Sequence, residues 1–106
     1  MRRFDRATGS GAISHTLTPT LGFQLEEIRI HLSDVGTAGD LTVTLDALAG
    51  AAYDTILLTQ DMSSVKDLAW QPTRPHSFVK GDAIKVAWAN GSSRTYGMEI
   101  VWSALL

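Results

Sequence analysis

The stretch Ala83–Ser103, AIKVAWANGSSRTYGMEIVWS, decides the fold class. From Ala83 to Ala89 every second residue is apolar: Ile84, Val86 and Trp88 share one phase, while Lys85 and small alanines share the other. From Thr95 to Ser103 the alternation resumes, with Tyr96, Met98, Ile100 and Trp102 on one side and Gly97, Glu99 and Ser103 on the other. Period-2 alternation is the signature of a strand with one buried face. Two such runs joined by Asn90-Gly91-Ser92-Ser93-Arg94 predict a β-hairpin.

The rest of the chain follows the same grammar. Ala12–Thr18 (AISHTLT) reads as a short strand stopped by Pro19. In Phe23–Ser33 (FQLEEIRIHLS), Phe23 and Leu25 share one phase and Ile28, Ile30 and Leu32 the other. One extra residue at Glu26-Glu27, a β-bulge, would return both sets to the core side. Asp34–Asp40 (DVGTAGD) reads as a loop between antiparallel strands. Leu41–Asp46 alternates cleanly, Ala47–Ala52 reads as a loop, and Tyr53–Met62 is a strand expected to pair with the one before it. Val65–Trp70 and Ser77–Val79 are short strands, separated by an extended crossing that carries Pro72 and Pro75. Seven or eight short strands at a spacing near ten residues, with no helix, predict an all-β protein: an antiparallel β-sandwich, jelly-roll-like in wiring.

The 106 residues suit a single domain, taken as residues 12–106, preceded by an N-terminal arm over residues 1–11. The arm has no periodicity and is expected to be flexible unless a partner orders it. Its Arg2, Arg3 and Arg6 face Asp5 alone, a balance of +2; the remaining six basic and ten acidic residues give −4. A basic arm on an acidic body suggests contact with something acidic, such as a neighbouring copy of the same body. The other reading is a frayed start whose charges serve solubility. Three arginines without a basic face do not make a nucleic-acid site. No apolar run approaches the roughly 18 residues of a membrane span. The chain has no cysteine, which excludes disulfides, thiolate metal sites and a cysteine nucleophile.

Catalytic signatures are equally sparse. His15, His31 and His76 are not at metal-ligand spacing. The Asp34–Asp40 loop has two acids and lacks the alternating acids of a calcium loop. Glu26, Glu27 and Glu99 are the only glutamates and show no facing pair of the glycosidase kind. No G-x-S-x-G elbow occurs, and no helix follows Gly9-Ser10-Gly11 to cradle a phosphate. A non-enzymatic protein without cofactor or metal is therefore expected. Trp70, Trp88 and Trp102 lie in phase with apolar neighbours and read as core, which leaves Phe4 and Tyr53 as exposed aromatics.

Three phrases, SHTLTPTLGFQLEEIRIHL (14–32), LTVTLDALAGAAYDTILLTQD (41–61) and the ending GDAIKVAWANGSSRTYGMEIVW (81–102), together resemble small β-sandwich virion proteins of tailed bacteriophages and related prophages. Some of these are capsid decoration, or cement, proteins. The resemblance covers roughly residues 12–103 and rests on strand texture, with no catalytic motif to transfer. It implies a partner in the major capsid protein or another virion protein, self-association into a trimer or other cyclic oligomer, and a place on the capsid surface. It involves neither nucleic acid nor membrane. The expected interface residues are Arg2, Arg3, Phe4, Arg6 and Tyr53. The alternatives are a carbohydrate-binding sandwich, which would need exposed aromatics on a polar face, and a cupin-type lyase or isomerase, which would need a histidine cluster and a metal.

Overall fold

The computed structural model describes residues 2–74 and 76–105. It contains nine strands: β1 (Arg2–Gly9), β2 (Ile13–Leu17), β3 (Phe23–Leu32), β4 (Asp40–Asp46), β5 (Thr55–Asp61), β6 (Asp67–Trp70), β7 (His76–Phe78), β8 (Ala83–Trp88) and β9 (Tyr96–Ala104). A single 3₁₀ turn, Ala51–Tyr53, interrupts the β4–β5 connection. Two antiparallel sheets face each other. One runs β1-β9-β3-β6, with β7 also paired to β3; the other runs β2-β8-β4-β5. Every connection except β4–β5 and β6–β7 carries the chain from one sheet to the other, which is jelly-roll wiring.

The core is the sum of the inward phases. Phe23, Leu25, Ile28 and Leu32 of β3 meet Ile84 and Val86 of β8 and Leu41 and Val43 of β4, all fully buried. The phase slip in β3 is a bulge, with the register to β9 shifting between Leu25 and Glu27. It places Leu25 and Ile28 both inward although they are three positions apart, a spacing that in a regular strand puts residues on opposite faces. Trp88 and Trp102 are buried; Trp70 is half-buried against the core rim, because β6 is an edge strand.

Two expectations change. The Ala83–Ser103 segment is not a hairpin. β8 pairs with β2 and β4, β9 pairs with β1 and β3, and Asn90–Arg94 carries the chain between sheets. Alternation reports which face of a strand is buried; strands on opposite sides of one core show the same pattern. The residues expected to form a flexible N-terminal arm form β1, which pairs with β9 from Arg2↔Ser103 to Gly9↔Tyr96. Its inward phase is Asp5, Ala7 and Gly9, small or polar, so it gives no hydrophobic signal. β1 supplies the edge strand that completes the jelly roll and raises the strand count to nine.

The β3–β4 crossing is pinned at Gly36. Its N–H donates to the Val65 carbonyl at 2.8 Å, and a Cβ there would lie 2.5 Å from the Met62 carbonyl oxygen and 3.2 Å from the Trp88 ring. Gly36→Ala is therefore expected to lower stability by about 2 kcal/mol through overpacking against backbone. Thermal unfolding checks this; an unchanged midpoint would show that the crossing gives way freely.

Candidate docking face

The outer face of the β1-β9-β3-β6 sheet carries a broad concavity and several of the chain's ion pairs. Strand phase puts Phe4, Arg6 and Thr8 of β1, Gly97, Glu99 and Val101 of β9, and Glu27, Arg29 and His31 of β3 on this face. Register then places them side by side: Arg6↔Glu99↔Arg29 in one row and Thr8↔Gly97↔His31↔Asp67 in the next.

The first row is an ion ladder. Arg6 Nε donates to Glu99 Oε2, Arg29 Nη1 donates to Glu99 Oε1 at 2.9 Å, and Arg29 Nε donates to Glu27 Oε1 at 2.9 Å. Glu99 and Glu27 are largely shielded while the arginines remain open to water. Exposed pairs of this kind contribute only a few tenths of a kcal/mol each. Their effect is to fix side-chain positions and to hold both cations on the surface. In the second row His31 Nδ1 and Asp67 Oδ1 are in hydrogen-bond contact. Between the rows lies a concavity of about 760 Å³, walled by Arg6, Thr8, Arg29, His31 and Asp67 and floored at Gly97. Nothing lies within 4 Å of where a Gly97 Cβ would sit.

The five expected interface residues divide. Arg2, Phe4 and Arg6 lie on the outward phase of β1, at the rim of this face; Phe4 is 49% exposed, with the Arg6 guanidinium 5.5 Å from its ring centroid. Arg3 has the opposite phase, and its guanidinium sits 5.4 Å from the centroid of the Trp102 ring at the core's edge. Tyr53, 65% exposed, lies in the 3₁₀ turn between β4 and β5, on the other sheet. Arg29, His31, Asp67, Gly97 and Glu99 were not expected at an interface. Alternation already put Arg29, His31, Gly97 and Glu99 outward; strand order, which alternation does not encode, makes them neighbours.

Asp5 and His15, on the inward phases of β1 and β2, join the two sheets at the sandwich edge at 2.6 Å. Asp61, at the end of β5, accepts the Ser63 N–H at 3.0 Å. That bond, with the Ser63 hydroxyl, holds its carboxyl below the usual carboxylate range. Among the described residues, no three His, Asp or Glu side chains lie together as metal ligands would, and no helix is long and apolar enough to cross a membrane.

No family model matches the chain, and no curated protein matches it. Solved structures do show a likeness. The nucleoplasmin-like N-terminal domain of Drosophila FKBP39 is 15% identical, with 100% of this chain and 92% of that one covered and a TM-score of 0.49. A chain of the acid-stable capsid of Helicobacter pylori bacteriophage KHP30 is 9% identical, with coverage of 96% and 92% and a TM-score of 0.47. The Yersinia pseudotuberculosis-derived mitogen is 16% identical, with coverage of 99% and 86% and a TM-score of 0.41. The structural neighbours thus include a viral capsid protein, and at these values none of them says what this chain binds.

Proposed function

We propose that the chain is a non-enzymatic structural protein of a tailed-phage virion, a decoration protein that binds the assembled head and stabilises it. One observation carries the reading: the outer face of the β1-β9-β3-β6 sheet, where an ion ladder frames an open concavity over Gly97. Its charged groups neutralise one another laterally instead of converging on one reacting atom. This suits a surface that recognises another protein's shape and charge. The phrase-level resemblance to phage virion proteins supplies the partner class. A protein that binds only the assembled shell stabilises that shell by mass action. Head binding through this face would place the chain on the virion surface without cofactor, nucleic acid or membrane.

Cosedimentation with assembled heads and with unassembled capsid subunits of the encoding phage tests this. Binding to heads and not to free subunits is the expected result; no binding to heads overturns the reading. Gly97→Leu sharpens the test. The site is extended strand with open space above it, and replacing a strand glycine gains about 0.5–1 kcal/mol, so the unfolding midpoint should hold or rise. Head affinity should fall at least tenfold, because the side chain projects into the concavity and holds the partner surface off its floor. Unchanged affinity would remove this face from the account.

A further inference from the structure

We infer that β1 is a strap that opens and closes as one unit over the other eight strands, and that the docking face is whole only while the strap is closed. Among the described residues, β1, β5 and β6 are the strands with no buried member. β5 and β6 still press large side chains against the core, Leu57 and Leu58 from one and Leu68 and Trp70 from the other; β1 offers Ala7. β1 also lies at a sheet edge, where its pairing is with β9. Its main-chain bonds to β9 replace bonds to water, and their net gain is offset by the backbone freedom lost over eight residues. With so little apolar area to add to either side of that balance, β1 belongs to the least stable part of the fold.

The side-chain ties of β1 are few and lie near the surface. The Thr8 hydroxyl donates to the Tyr96 carbonyl at 2.8 Å, Arg6 meets Glu99, and Asp5 meets His15 across the sandwich edge at 2.6 Å. Opening leaves their partners paired or hydrated: Glu99 keeps Arg29 Nη1 at 2.9 Å, and His15, already part-exposed, turns to water. Opening also has a defined end. Asn90 holds the Ser10 and Gly11 carbonyls, and Ile13 and Leu17 of β2 are buried, so the hinge falls between Gly9 and Ile13. The open strap takes Arg6 and Thr8 with it, two of the groups that wall the concavity over Gly97. A partner that contacts them binds the closed state and shifts the population toward it. The opening itself is independent of head binding; its part in docking rests on the decoration reading.

Hydrogen exchange of the full-length protein, followed amide by amide by NMR, tests the opening. The amides that bond β1 to β9 should share one protection factor, about a hundredfold or more below that of the amides bonding β9 to β3. Equal protection of the two sets would mean that β1 leaves only in global unfolding, and it overturns the inference. Protection that declines residue by residue toward Arg2 is the mark of fraying and overturns it too. Asp5→Ala removes the tie to His15 from a residue outside the docking face. It should speed exchange of the β1–β9 set about threefold or more while the β9–β3 set keeps its wild-type rates. Acceleration of both sets alike, or of neither, counts against a separate unit held by that tie and overturns it. Assembled heads should slow the β1–β9 set about tenfold or more. Heads that bind and leave this set unchanged overturn the link between strap and docking face. Heads that do not bind overturn the decoration reading instead, and exchange of the protein alone still decides the strap.

Discussion

Asn90→Ala should destabilise the fold by about 3 kcal/mol. Asn90 is 3% exposed and sits where two sheet crossings meet. Its amide nitrogen donates to the Gly11 carbonyl at 2.8 Å and the Arg94 carbonyl at 2.9 Å, with the Ser10 carbonyl at 3.3 Å. Its Oδ1 accepts the Arg94 N–H at 2.9 Å. One side chain thus ties the β1–β2 connection to the β8–β9 connection. Truncation strands the Gly11 and Arg94 carbonyls and the Arg94 N–H, at roughly 1 kcal/mol each for a lost buried hydrogen bond, beside the longer Ser10 contact. Asn90 also has a φ of +50°, where an asparagine is tolerated and an alanine is strained. Asn90→Gly should therefore be about 1 kcal/mol less harmful than Asn90→Ala, having lost the same bonds without the strain. Urea titration of both variants measures this. A loss below 1 kcal/mol in Asn90→Ala would show that water replaces these bonds and that the crossings hold without them.

Asn90 also marks where sequence reasoning reached and where it stopped. Asn-Gly between two alternating runs has the composition of a tight hairpin turn, and the residue does adopt the left-handed conformation such turns use. Yet its side chain is spent bracing a crossing between sheets. Alternation is a one-dimensional signal: it places Val86 and Ile100 on the core side and cannot say that they approach it from opposite sheets. The bulge in β3 was legible because a phase slip inside one strand is local. β1 was not, because an edge strand need bury little, and its inward Asp5 meets His15 of the facing sheet instead of a hydrophobic neighbour. The docking face shares this limit. Its outward residues could be read strand by strand, but the row Arg6–Glu99–Arg29 joins residues up to 93 positions apart. Only the strand order sets them in line.

The largest loss is expected from Phe23→Ala, about 4 kcal/mol. Phe23 is fully buried at the start of β3, where β7 pairs on one side and β9 on the other. Its ring lies 5.1 Å from that of Phe78 in a tilted contact and 6.1 Å from that of Trp102, edge to face. These arrangements add about 1 kcal/mol each beyond area burial. Removing the ring costs its transfer free energy and leaves a cavity between two strands that have no other common neighbour at this position. Phe78, on a three-residue strand paired with β3, loses an aromatic neighbour. For a domain of this size, with a total stability on the order of 5–15 kcal/mol, such a loss approaches global unfolding near body temperature. The contrast is Phe4→Ala, with a half-exposed ring, which should change stability by no more than about 0.5 kcal/mol. In urea, Phe23→Ala should shift the midpoint strongly with little change in slope, the mark of lost stability without a change in the surface exposed on unfolding. If the two variants unfolded together, the aromatic trio would not be the anchor of this end of the sandwich, and the fold would rest on β8 and the central part of β3 alone.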